Sequence, residues 1–207
     1  MFKGTPEIVA QRREEIVNAC EKLYQTKSFK EINLREIGEV TSFSRPTIYN
    51  YFHTKEEIFL ALYEREYDRW NAELETILNI DQSCTRKQLA EKIAGSLERR
   101  AQLLRLLSMN NFDMEENSRE EMLSSFKRAY GRSLDLFRSI LEKHCPDMSA
   151  EEVKDIMYVF FPFMFGIYPY AEVTEKQKKA MEEAEVDYNY HSIYEITYNC
   201  LVRLLDK

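Results

Sequence analysis

A chain of 207 residues, 44% hydrophobic and 31% charged, has the balance of a globular protein, and its 5 Gly and 5 Pro favour long helices. No run of about 18 apolar residues occurs, and Met1-Phe2-Lys3-Gly4 leads into a polar stretch, which argues against a membrane partner or a secretory leader and predicts a cytoplasmic protein. The net charge of -7 is uneven: residues 1–55 hold nine Lys/Arg against seven Asp/Glu, whereas residues 56–207 hold 20 against 29, so a mildly basic segment precedes an acidic body.

The first predicted helix runs from Pro6 to Tyr24, with Ile16, Ala19, Cys20 and Leu23 at the i, i+3, i+4, i+7 spacing of one buried face. Later helix starts are marked by capping boxes, in which an N-cap side chain and a Glu or Gln three residues on satisfy each other's backbone N–H groups. Six such pairs occur: Asn33 with Glu36, Thr54 with Glu57, Thr85 with Gln88, Ser118 with Glu121, Ser149 with Glu152, and Thr174 with Gln177. Hydrophobic staples add to three of them, through Ile32 with Ile37, Cys84 with Leu89 and Met148 with Val153. Leu34, Ile37, Val40, Ile48, Phe52, Ile58 and Leu62 supply the apolar positions of a small three-helix core with the first helix. Beyond Thr54 the predicted helices span 55–78, 85–109, 118–144, 149–168 and 189–205, with a charged connector helix near 174–184 and a break at 110–117. The fold class is all-α.

Between Asn33 and Phe52 two short helices flank Thr41-Ser42-Phe43, the spacing that sets a second helix into a major groove. The whole segment from Phe29 to Ile58 is therefore a candidate helix-turn-helix. Ser44 can cap the second helix, and Pro46 falls in its first turn, where a missing N–H costs little. From the helix start, Arg45 can pair with guanine, Thr47 can offer a methyl or hydroxyl, and Asn50 suits adenine. Ile48 and Phe52, four apart, read as core.

The run Ser44-Arg45-Pro46-Thr47-Ile48-Tyr49-Asn50-Tyr51-Phe52 followed by Lys55-Glu56-Glu57-Ile58 resembles the tetracycline-repressor-like (TetR) family of regulators, and the resemblance extends over Glu15 to Leu62. It implies a three-helix DNA-binding domain at 1–55 and a larger helical bundle for ligand binding and dimerisation at 56–207. It also implies phosphate contacts from the positions of Tyr49, Tyr51, Lys55 and Asn33, with Arg35 a further candidate. The turn departs from the family's common Ala-Gly-Val type, so Ser42 is expected either to carry positive-φ strain or to adopt another conformation.

In the body, Ile156, Met157, Phe160, Phe161, Met164 and Phe165 form a stripe, while Val159 and Phe163 lie off it, so a helix apolar nearly all round is expected to be buried all round. Pro162 is expected to kink or end that helix. Met157, Phe160, Phe161, Met164, Phe165 and Tyr168 are candidate lining for an inducer pocket, although a Met and aromatic stripe also suits plain core. In the last helix Tyr194, Tyr198 and Leu205 lie beside a stripe that includes Leu201. The resemblance implies a four-helix dimer interface there, with Val159, Phe163, Tyr194, Tyr198, Leu201 and Leu205 as candidates. Intrachain packing explains the same pattern.

No P-loop, GxSxG, HExxH or ExxH motif occurs, and His53, His144 and His191 stand apart, so neither an enzyme, a metal site nor a bound cofactor is expected. Cys20, Cys84, Cys145 and Cys200 lack any Cys-x-x-Cys pair and read as reduced, mostly buried thiols. The expected partners are operator DNA, a second copy of the chain and an unknown small-molecule inducer; repression is the family's implication. A helical ligand-binding or protein-interaction module without operator binding is the alternative, and steep salt dependence separates the two.

Overall fold

The computed structural model describes residues 5–82, 84–109 and 111–206, except for the side chains of Arg45, Asn111 and Asp113. The described residues form helices α1 (Pro6–Tyr24), α2 (Leu34–Val40), α3 (Arg45–Ile48), α4 (Lys55–Leu78), α5 (Arg86–Glu98), α6 (Ala101–Leu107), α7 (Asn111–Glu116), α8 (Glu120–His144), α9 (Ala150–Ala171), α10 (Glu175–Glu183) and α11 (Ile193–Leu205), and no strand. The fold is all-α.

Local chemistry sets most of the starts. Both halves of the capping box form at Asn33, Thr85 and Ser149. Thr54 accepts from the Glu57 amide at 3.2 Å, but the Glu57 carboxylate turns instead to the His53 amide at 2.7 Å. Thr174 caps through its side chain alone. At Ser118 the expected cap is not made: its buried Oγ has no partner among the described residues, and α8 begins two residues later. A box absent from the expected set, Ser192 with Glu195, starts α11.

The chain divides into two compact units. The first comprises the described residues up to Arg65 together with α7 and α8 as far as Ala129; the second holds the remainder. The sequence placed a single boundary at 55/56 and a break at 110–117, where the first unit instead has a second segment. In the first unit α1 buries Ile16, Val17, Ala19, Cys20 and Tyr24. Ile32, Ile37, Ile48, Phe52, Ile58 and Leu62 are fully buried, each burial of this kind contributing about 1.5–3 kcal/mol. Phe59 meets Tyr24 and Phe29 edge-on at 5.2 and 4.8 Å, and Tyr63 meets Phe126 at 5.3 Å.

The second unit has an aromatic centre. Phe137 stacks on Phe160 at 4.9 Å and meets Phe161 edge-on at 5.6 Å. Phe161 in turn lies edge-on to Trp70 at 6.0 Å and to Tyr130 at 5.9 Å. The Trp70 indole donates to Ser96 at 3.0 Å, which satisfies its only polar atom inside the core. Around this centre α11 packs on α5 and α9, and α6 on α9.

The expected helix over 85–109 is broken at Arg99–Arg100, where Arg100 leaves helical geometry (φ -112°, ψ 36°), giving α5 and α6. Pro162 does not end α9, which continues to Ala171 through both Pro162 and Pro169. Nor is α9 buried all round. Tyr158 is 71% exposed, and Val159, Phe165 and Tyr170 also face out of the chain.

Candidate nucleic-acid interface

The surface is built on α2 and α3. Asn33 Oδ1 accepts from the amides of Arg35 and Glu36 at 3.0 and 3.1 Å, and the Glu36 carboxylate accepts from the Asn33 amide at 3.2 Å, which fixes the start of α2. The turn that follows needs no left-handed residue: the sole non-glycine residue with positive φ among those described is Glu185. Thr41 is extended (φ -92°, ψ 163°), and its hydroxyl lies 3.1 Å from the Gly38 carbonyl and 3.0 Å from the Phe43 carbonyl. The Ser42 amide donates to the Glu15 carboxylate on α1. Polar contacts thus define the glycine-free turn, and Phe43 packs toward Tyr51 with ring centroids 6.4 Å apart.

Ser44 occupies the N-cap position of α3 but makes no side-chain cap, contrary to expectation; its Oγ is nearest the Thr47 Oγ, at 3.4 Å. The backbone compensates with a Thr47 amide bond to the Ser44 carbonyl at 2.8 Å, and Pro46 sits in the first turn. After Ile48 the chain continues in tight turns, with the Tyr51 and Phe52 amides donating to the Ile48 carbonyl at 2.8 and 3.0 Å. Ile48 and Phe52 are fully buried, while Pro46, Tyr49 and Asn50 are exposed and Thr47 is half-buried. The expected guanine reader, Arg45, has a backbone in α3, but its side chain lies outside the described residues.

Two assigned phosphate contacts have internal roles. The Tyr51 ring is buried, 5% exposed, and its hydroxyl accepts from Arg12 on α1 at 3.1 Å. Lys55 donates to the carbonyls of Phe29 and Ile32 at 2.8 and 3.2 Å, and its ammonium lies 4.1 Å from the Phe29 ring centroid. An ammonium has three donors, so one remains for a phosphate. Asn33, Arg35 and Lys55 border one shallow depression of about 530 Å³, together with Lys30, Thr54 and Glu56. Arg35 is exposed and shares its charge with Glu39 at 3.0 Å.

The far end of the recognition segment is secured by contacts that the sequence did not reveal. The Arg13 guanidinium lies 4.5 Å from the Phe52 ring centroid and donates to the Tyr51 carbonyl at 3.2 Å. Arg119, just before α8, donates through Nε and Nη2 to the two Glu57 carboxylate oxygens at 2.7 and 2.9 Å. Burial alone would push the Glu57 carboxyl up, but hydrogen bonds from Arg119 and from the His53 amide outweigh it and hold the group below its ordinary value. The Glu57 side chain is 1% exposed and that of Arg119 35%. No short-range spacing links residues 62 apart, so the pair carried no sequence signal. By contrast, the Ser192-x-x-Glu195 pattern was legible.

In the second unit a cleft of about 510 Å³ lies between α8 and α9. Of the expected pocket residues, Met157 and Phe161 line it. Phe160, stacked on Phe137, and Met164 are instead fully buried core; Phe165 is 39% exposed and Tyr168 half-buried, and neither lines the cleft. Of the expected interface residues, Val159 is exposed and Phe163, Tyr194 and Tyr198 are half-buried, the last two stacked at 5.8 Å. Leu201 and Leu205 are fully buried within their own chain and offer nothing to a partner. The four cysteines are free thiols; Cys20 and Cys145 are buried, and burial pushes the Cys20 thiol up to about 12. Among the described residues no group of three or more His, Cys, Asp or Glu side chains could hold a metal ion. No single described helix is long and apolar enough to cross a membrane.

Residues 16–62 match the family model for bacterial regulatory proteins of the tetR family, and residues 64–191 match that of the tetracyclin repressor-like C-terminal domain. A stretch of 103 residues is 27% identical to the uncharacterized HTH-type transcriptional regulator YfiR of Bacillus subtilis (strain 168), covering 50% of this chain and 47% of that protein. The match therefore spans about half the length of this curated relative. Among solved structures, FadR of Thermus thermophilus in complex with lauroyl-CoA is 19% identical over 94% of each chain, with a TM-score of 0.61. FadR of Bacillus subtilis in complex with stearoyl-CoA is 14% identical over 93% of this chain and 97% of that one, also at 0.61. These two likenesses concern the fold. Since the two family models together account for most of the chain and the helix-turn-helix lies within the first of them, the chain belongs to the TetR family of DNA-binding transcriptional regulators.

Proposed function

We propose that this chain is a homodimeric repressor that reads a pseudo-palindromic operator and is released from it by a small-molecule ligand. The observation that carries the DNA reading is the division of the segment 44–52: Ile48 and Phe52 are fully buried, and Pro46, Tyr49 and Asn50 face outward. Arg45, Thr47 and Asn50 read base edges from the helix start, Ser44 and Pro46 approach the backbone, and Tyr49 meets a phosphate. Tyr51 acts through Arg12, which its hydroxyl holds at 3.1 Å. Asn33, Arg35 and Lys55 engage a second phosphate at the depression they border. The alternative of a helical module without DNA contacts leaves the outward side of this segment without a use.

Dimerisation is supported by the α9 face, where Tyr158, Val159, Phe165 and Tyr170 are exposed large apolar side chains on one helix. Two copies would set their recognition helices about 34–36 Å apart. The structures of similar fold contain acyl-CoA ligands, which supports an effector with an apolar chain here. The protein acts by binding rather than catalysis, in the cytoplasm.

The test is selection of bound fragments from the source genome, followed by titration at several salt concentrations. One palindrome should be preferred, with affinity falling steeply as salt rises. Asn50→Ala should relax preference at one base position by about 1–3 kcal/mol, whereas Lys55→Ala should weaken all sequences nearly equally. Equal binding of all fragments, or full operator affinity in both variants, would sink the reading.

A further inference from the structure

The cleft between α8 and α9 has two chemically different ends. The two helices run antiparallel across a short connection, so the C-terminal part of α8 faces the N-terminal part of α9. Arg138, Glu142 and Lys154 gather at that end, while Tyr130, Met157 and Phe161 line the other. Burial pushes the Tyr130 phenol above an ordinary value at which it is already neutral at pH 7, so this end carries no charge. At the polar end the lining holds two cations and one carboxylate, and Asp135 stands beside Arg138 outside the lining.

Neither cation is strongly committed. Arg138 pairs with Asp135 at 2.9 Å, but both side chains are exposed, 47% and 73%, and such pairs are weak. Lys154 makes no salt bridge among the described residues; its ammonium lies over the Tyr158 ring, 5.9 Å from the centroid. The volume of about 510 Å³ falls within the range of small-molecule sites.

We infer that this cleft binds an amphipathic monocarboxylate, with its acid group between Arg138 and Lys154 and its apolar body against Tyr130, Met157 and Phe161. The inference rests on the reading of the chain as a ligand-released regulator and names the ligand class for it. The two lining cations can flank one carboxylate and do not compensate a polyanionic head such as a nucleotide thioester.

The chain carries its own reporter. Trp70 is its single tryptophan, fully buried and edge-on to the cleft residue Phe161. Titrating the full chain with decanoate below its micellar concentration should give a saturable change in Trp70 emission. Decanol should bind at least about tenfold more weakly, and decyltrimethylammonium should not bind. In the double variant Lys154→Glu, Arg138→Glu, decanoate affinity should fall about tenfold or more and the ammonium amphiphile should gain binding. Leu134 also lines the cleft, and Leu134→Trp, read by calorimetry, should plug it and abolish binding of decanoate and decanol alike. The inference is overturned by any of three results: no saturable response, decanoate affinity within about twofold of wild type in either variant, or decanoyl-CoA binding more tightly than decanoate in a manner indifferent to the charge reversal. Operator binding by the unliganded protein is measured separately, so failure of the cleft leaves the DNA reading standing, and the converse.

Discussion

Around Thr41, Ser42 and Tyr51 the first unit is fixed by polar contacts between residues distant in sequence: Glu15 on the Ser42 amide, Arg13 on the Tyr51 carbonyl and Arg119 on Glu57. Around Phe137 the second unit is fixed by rings, with Phe160 stacked on it and Phe161, Trp70 and Tyr130 meeting edge-on. The contrast follows from element length. Helices of four and seven residues have little apolar face, and their ends leave many backbone groups to satisfy. Helices of 22 and 25 residues have broad faces and few ends. The short elements of the candidate interface are thus positioned by hydrogen bonds, and the long elements by packing.

The sharpest way to break this contrast is to empty the ring cluster. Phe137→Ala removes a fully buried ring stacked at 4.9 Å and should cost about 3–5 kcal/mol, measured by urea unfolding followed at Trp70. A loss below about 1 kcal/mol would mean that the second unit does not depend on its aromatic centre.

The polar counterpart should be smaller. Removing one partner of a buried ion pair costs about 3–5 kcal/mol. Arg119 is 35% exposed, so Arg119→Ala should cost nearer 2 kcal/mol, seen as faster amide exchange at Tyr51 to Ile58. The same pair sets an acid limit. Because the folded Glu57 carboxyl lies below its ordinary value of 4.5, its contribution is fully present above that value and fades as pH falls through the lower folded one. Wild-type protein should therefore lose stability below about pH 4.5, and Arg119→Ala should flatten that dependence. Parallel acid profiles for the two proteins would show that the pair does not carry it.

The same contrast explains what the sequence made legible. Asn33, Thr85 and Ser149 could be read as helix starts because a capping box is local, and Ile48 and Phe52 as core because their spacing puts them on one face. The internal role of Lys55 was hidden, since the carbonyls it meets lie 23 and 26 residues away. In α9 the pattern was apolar nearly all round and could not say which ring faces inward. Phe160 and Met164 became core, Phe161 and Met157 cleft wall, and Val159 surface. The packing of α6, α8 and α11 against α9 decides among them. Leu201 and Leu205 were misread for the same reason, since the packing of α11 on α5 and α9 fixes which side of it is covered.

The finest probe compares one kind of substitution at two turns. Glu185 has φ 55° and follows α10 in a motif where its amide donates to the Glu182 carbonyl and the Val186 amide to that of Met181, both at 3.0 Å. A left-handed residue without glycine's freedom is strained there, and Glu185 makes no ion pair among the described residues. Glu185→Gly should therefore stabilise by about 0.5–1 kcal/mol, raising Tm by roughly 1–4 °C. Ser42 stands where the family often has glycine, yet its φ is not positive. Ser42→Gly would relieve no strain and would add freedom to the unfolded chain, so it should lower Tm by a similar amount. Scanning calorimetry of both variants should give opposite signs. Stabilisation by Ser42→Gly would show that the Thr41 hydroxyl and Glu15 carboxylate hold the turn against strain, not in its relaxed geometry.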